Sequence, residues 1–136
     1  MFEVVHEFAV LGTACFMMAL ATVWYSPMFF GKIWMKETGL TDEKVEKAQP
    51  EMMKHAALTF ISYSIMLTLL SQLIAYAPDV GLEPLRAAGL LSVFIVAGAV
   101  PVTLFEGRTI RYFSIQIGFY VLFIMLGTGI LQYWPW

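Results

Sequence analysis

Residues 8–30, 56–77, 87–105 and 112–136 contain no Lys, Arg, Asp or Glu. Charge is confined to four short groups: Glu3 with Glu7; the segment from Lys32 to Lys54; Asp79, Glu83 and Arg86; and Glu106, Arg108 and Arg111. Only 13% of the chain is charged while 60% is hydrophobic, against roughly 25% and 45–50% in soluble domains. Each uncharged stretch approaches the ~20 residues with which an α-helix crosses a ~30 Å hydrocarbon core. The stretches show no steady alternation, and inside lipid only helices or closed barrels satisfy every backbone polar group, so the reading is helical. The expected fold is all-α: a single transmembrane domain over residues 1–136, with spans near 8–30, 56–77, 87–105 and 112–134 and tight remaining loops. Such loops favour antiparallel neighbours and an up-down four-helix bundle.

Other absences narrow the chemistry. The lone Cys15 leaves no intrachain disulfide and no CxxC pair, and HExxH and GxSxG are missing as well. His6 and His55 fall at opposite ends of the first two spans, so neither a catalytic pair nor a bis-His haem within one chain is indicated. Glu3, His6 and Glu7 share one helical face at i, i+3, i+4, but the other spans offer no complementary ligands at that level. Nine Met residues read as flexible apolar packing rather than a copper site. The expectation is no enzyme, no catalytic residue, no cofactor and no metal. The five loop Lys residues are interspersed with Asp and Glu, which removes a nucleic-acid partner.

Basic residues set orientation. Lys32, Lys36, Lys44, Lys47, Lys54, Arg108 and Arg111 lie on one side and only Arg86 on the other, so the positive-inside rule puts the first and third loops in the cytoplasm and both termini outside it. Ala19-Leu20-Ala21 has the small-x-small form of a signal cleavage site. The preceding segment has no Lys or Arg and the apolar run continues past it, so no cleavage is expected. Trp24, Trp34, Tyr112, Tyr133, Trp134 and Trp136 suit interfacial aromatic belts, and equally suit packing against other helices. In the loop over 31–55 a short helix is expected near 42–48, capped by Thr41, with Asp42 and Glu43 in its first turn and a Leu40 to Val45 staple.

Trp24-Tyr25-Ser26-Pro27 is the most unusual local feature. Pro27 has no amide proton and its ring crowds the carbonyl of Val23, so the span kinks, opens or has already ended there, and a carbonyl needs a partner. Span two is polar for a membrane helix: Thr59, Ser62, Tyr63, Ser64, Thr68, Ser71 and Gln72, with Ser64, Thr68, Ser71 and Gln72 forming one stripe expected to face the bundle. Trp24, Tyr25, Ser26, Pro27, Ser62, Tyr63 and Gln116 are therefore the candidates for a polar vestibule or, on the plainer reading, a packing site. Glu106, Arg108 and Arg111 are candidates for a cytoplasmic gate or an anion or lipid site, and topology control explains them as well. Small residues around Ala88, Ser92 and Gly98, a Pro at 101, and Gly127-Thr128-Gly129 suit close helix contacts within or between protomers.

The combination of Trp24-Tyr25-Ser26-Pro27, Phe30-Gly31-Lys32, Trp34, Gly39-Leu40 and Leu104-Phe105-Glu106-Gly107-Arg108 resembles a family of short bacterial four-span membrane proteins catalogued as a domain of unknown function. The resemblance covers nearly the whole chain and implies a small inner-membrane protein with motif residues at the cytoplasmic side. It implies no substrate, reaction or cofactor. The expected function is a non-enzymatic structural, accessory or regulatory membrane protein, partnered by lipids and by copies of itself or another membrane complex. The alternative is a small solute or ion transporter or channel with a cytoplasm-facing vestibule, although no ionisable residue lies in the middle of a span.

Overall fold

The structure, a computed structural model, describes residues 7–135. Among the described residues six α-helices follow one another: α1 Glu7–Trp24, α2 Gly31–Thr38, α3 Asp42–Ala48, α4 Met52–Tyr76, α5 Pro84–Phe105 and α6 Ile110–Gln132. Short 3₁₀ turns join α3 to α4 at Gln49–Glu51 and α4 to α5 at Ala77–Val80. The described residues contain no strand. Four of the helices are long and apolar enough to cross a membrane, which is the architecture of a multi-pass membrane protein.

Local chemistry fixes the helix ends. Thr41 accepts the amide of Lys44 at 3.3 Å to start α3, and Thr109 accepts the amide of Tyr112 at 3.2 Å to start α6. Pro84 begins α5, where its missing N–H costs nothing. Pro101 lies inside α5 on its exposed side, and the helix continues through it to Phe105.

Contacts give the direction of each long helix. Trp24, at the end of α1, bonds to Ile115 near the start of α6, while a Cβ at Gly12 would lie 3.1 Å from the Trp134 indole beyond the end of α6. α1 and α6 are therefore antiparallel. Tyr63 meets Phe119 and Phe123, and farther along α4 Leu67 and Leu70 meet Gly127, so α4 and α6 run parallel. With the short turns on either side of α5, this is an up-down bundle in which α6 packs against α1, α4 and α5. Its core is Met17, Leu67, Phe119 and Phe123, all fully buried, with Ala14 and Ile124. One end of the bundle, the basic end, carries α2, α3 and the Glu106–Thr109 connection, together with seven of the eight basic residues.

α1 stops at Trp24 although the apolar run continues to residue 30. α2 occupies part of the long loop, in which only the helix over 42–48 was expected from sequence. Glu3, His6 and Trp136 lie outside the described residues.

Candidate functional site

The turn after α1 builds the basic end. Pro27 falls beyond the helix, exposed, so the Val23 carbonyl it leaves without an amide accepts Ser26 instead, from its N–H at 3.1 Å and its hydroxyl at 2.7 Å. Phe30 N–H then donates to Trp24 O at 3.1 Å, and Phe29 and Gly31 both donate to Ser26 O, at 3.1 and 2.9 Å. The chain closes on itself so tightly that a Cβ at Gly31 would sit 2.3 Å from the Tyr25 carbonyl oxygen and 2.7 Å from that of Ser26. Only glycine allows this approach. The turn delivers α2 onto the start of α6.

Two bonds hold α2 there. Trp34 Nε1 donates to Gln116 Oε1 at 3.3 Å, and Thr109 Oγ1 donates to Glu37 Oε2 at 2.6 Å. Tyr25 Oη also donates to Gln116 Oε1, at 3.2 Å. An indole N–H can only donate, so the shared atom is the amide oxygen, and both of its lone pairs are taken. The Gln116 Nε2 hydrogens, by contrast, meet no acceptor among the described residues. Tyr25 and Trp34 stand edge to face with ring centres 5.3 Å apart, and Tyr25 lies 5.8 Å from Phe119.

Between α2, α4 and α6 lies a cleft of about 520 Å³ lined by Tyr25, Trp34, Leu58, Thr59, Ser62, Tyr63, Gln116, Phe119 and Tyr120. Of the seven vestibule candidates read from sequence, Tyr25, Ser62, Tyr63 and Gln116 line it. Trp24 stands behind the wall, donating to Ile115 O at 3.1 Å and packing on Phe30 and Phe119. Ser26 and Pro27 shape the turn rather than the lining. Trp34, Thr59 and Tyr120 were not among those candidates. Helical spacing held the signal: Thr59, Ser62 and Tyr63 share a face at i, i+3, i+4, and Gln116 and Tyr120 at i, i+4. Thr59 donates to His55 O at 2.8 Å, whereas the hydroxyls of Ser62, Tyr63 and Tyr120 bond to none of the described residues. Inward, the cleft stops where Tyr63 packs on Phe123 at 4.9 Å and on Phe119 at 6.3 Å.

Glu106, Arg108 and Arg111 lie elsewhere. Arg108 edges a separate groove of about 150 Å³ between α5 and α6 with Val100, Thr103, Leu104, Ile110 and Phe113. Its guanidinium sits 3.8 Å from Glu106 Oε2 and 5.0 Å from the centre of the Tyr112 ring. Arg111 is exposed. None of the three lines the aromatic cleft.

The span-two stripe is half-buried, but its hydroxyls turn back on their own helix. Ser64 donates to Phe60 O at 2.8 Å, Thr68 to Ser64 O at 2.9 Å and Ser71 to Thr68 O at 2.7 Å. Ser64 and Thr68 border a shallow apolar groove with Leu11, Phe60 and Ile65 on another side of α4 from the cleft. Gln72 Oε1 is buried without a partner among the described residues.

No curated protein and no solved structure matches the chain. One family does, described as "Protein of unknown function (DUF1761)": it matches residues 8–132, which include both walls of the cleft, the Gly31 turn and the α2 latch. This chain belongs to the DUF1761 family.

Proposed function

We propose that this is a non-enzymatic membrane protein that acts by binding a small molecule at its basic end, in an accessory or regulatory role. The observation that carries the reading is the convergence of Tyr25 and Trp34, from either side of the Gly31 turn, on one acceptor in the wall of the 520 Å³ cleft. A volume of that size, mostly aromatic with a few placed polar groups, is the general form of a ligand site. The closed aromatic floor favours binding over passage, since Phe119, Phe123, Met17 and Leu67 fill the core beyond the cleft. Transport, the second reading, requires that floor to open. By the positive-inside rule the cleft faces the cytoplasm of a bacterial inner membrane, and the lipid-facing side of α5 offers a surface for a second copy.

Ser62 borders the cleft and is exposed, so Ser62→Trp fills the space without disturbing the core. Native mass spectrometry of protein carried from the membrane into nanodiscs is expected to show a small molecule retained by the wild type and lost from Ser62→Trp. Identical spectra for the two proteins, with the cleft filled in one of them, reject the reading.

A further inference from the structure

We infer that the cleft takes a planar, uncharged, bilayer-dissolved carbonyl compound of the quinone class; this rests on the binding role proposed above and names its ligand. Three observations converge on that chemistry.

The first is charge. None of the nine lining residues is Asp, Glu, Lys, Arg or His, so neither an anion nor a metal ion finds a counter-charge or a ligand set there. The second is hydrogen-bond polarity. Gln116 Oε1 is saturated by Tyr25 and Trp34, which leaves the amide nitrogen as a pure donor, joined by the uncommitted hydroxyls of Ser62, Tyr63 and Tyr120. The amide nitrogen can only donate and the hydroxyls can each donate one hydrogen, so a ligand that offers acceptors, as a carbonyl does, finds several donors there. The rings of Tyr25, Trp34, Tyr63, Phe119 and Tyr120 suit a flat molecule between them.

The third is depth. Leu58 is the third residue of the uncharged stretch 56–77 and Gln116 the fifth of 112–136. At ~1.5 Å per residue, Tyr63 lies about 10 Å inside the start of its stretch. The cleft thus begins near the boundary of the hydrocarbon core and reaches about 10 Å into it, within reach of a lipophile dissolved in the bilayer.

An aromatic cleft also invites an organic cation, held by the faces of the rings, and a water-borne planar carbonyl compound shares the ligand chemistry. The test separates all three. Protein in phosphatidylcholine nanodiscs is titrated with menadione, riboflavin or tetraphenylphosphonium. Quenching of tryptophan fluorescence is followed, with empty nanodiscs correcting for absorption and the linear collisional part subtracted. Menadione is expected to give a saturable component in the wild type. Gln116→Glu keeps an oxygen acceptor for Tyr25 and Trp34 but replaces the donor nitrogen with a charged oxygen. It is expected to weaken menadione about tenfold and to strengthen tetraphenylphosphonium. Tyr63→Phe, which keeps the ring, is expected to weaken menadione about threefold.

Unchanged menadione binding in Gln116→Glu, provided its thermal unfolding matches the wild type, overturns the assignment. So does tighter wild-type binding of riboflavin or of tetraphenylphosphonium, though in either case the binding role stands. Saturable binding of none of the three probes overturns the quinone assignment while leaving the binding role to the Ser62→Trp comparison.

Discussion

The two halves of this bundle use the same helices in different ways. At the basic end, four side-chain hydrogen bonds tie separate elements together: Trp24 to Ile115, Tyr25 and Trp34 to Gln116, and Thr109 to Glu37. Toward the other end, hydroxyls bond within their own helices, as Thr13 does to Ala9 O at 2.6 Å and Ser92 to Ala88 O at 2.8 Å. There the helices meet through shape, with Met17, Leu67 and Leu70 closing over Gly127. Close packing of small against large side chains is how helices associate in lipid, where burial of apolar surface gives no drive. A protein that needed only to be a stable bundle could use that packing along its whole length. The basic end instead holds a cleft open and latches a short helix beside it, which is why function is placed there.

Two glycines, one in each half, give the largest test of this contrast. At Gly31 an added methyl meets backbone carbonyls at 2.3 and 2.7 Å, which cannot move without opening the turn; at Gly127 it meets the ends of Leu67 and Leu70 at 3.1 and 3.2 Å, which can. Gly31→Ala is expected to cost about 3 kcal/mol, expressed locally as release of α2, and Gly127→Ala about 1 kcal/mol, expressed over the whole bundle. Hydrogen exchange in nanodiscs checks this: Gly31→Ala raises exchange across residues 31–38 and leaves α4 and α6 protected. Equal, global loss of protection in both variants breaks the distinction between the halves.

That local turn is also where sequence and structure part company. Gaps in charge locate the four spans because a charged side chain is expensive in lipid, and this cost acts whatever the backbone does. Hydropathy therefore carries the first span through Met28, Phe29 and Phe30, whereas the backbone has already turned at Trp24. Pro27 lies just beyond that boundary, and the Val23 carbonyl it leaves unbonded accepts Ser26. α2 was hidden because Lys32, Lys36 and Glu37 read as solvated loop, although Ile33 and Trp34 between them were the apolar side of a short helix. Tyr25, Ser62, Tyr63 and Gln116 were legible as a polar group because such residues are rare in spans. Trp34 and Tyr120 were not, since an aromatic ring is equally at home against lipid, and only the fold shows which way it packs.

The second bond holding α2, from Thr109 to Glu37, ranks next in size. Thr109 also caps α6 through the amide of Tyr112, so Thr109→Ala removes a cap and a latch together. A loss of about 1 kcal/mol is expected, most of it from the cap. Glu37→Gln separates the two contributions, because it leaves the cap intact and weakens only an exposed link. It is expected to raise exchange of α2 slightly without lowering the unfolding midpoint in mixed detergent micelles. A Glu37→Gln loss as large as that of Thr109→Ala transfers the stabilisation from the cap to the latch and makes α2 part of the bundle's global stability.

The smallest effect is expected on α4, at the polar stripe that a solute path needs. Ser64 and Thr68 donate to carbonyls of Phe60 and Ser64, one turn back on the same helix. Replacing both hydroxyls with Ala leaves those carbonyls in their ordinary backbone bonds and opens no contact between helices, so the double variant is expected to lose less than about 0.5 kcal/mol. Bonds between helices in membranes average about 0.6 kcal/mol each and reach about 1.7, so a loss beyond about 1 kcal/mol in the same micelle assay means that the stripe has a partner on another helix. That result erases the contrast drawn above, since hydrogen bonds between elements then extend past the aromatic floor, and it gives the transport reading the polar continuation it lacks. A near-zero loss leaves the cleft as an isolated polar site above a core held by packing.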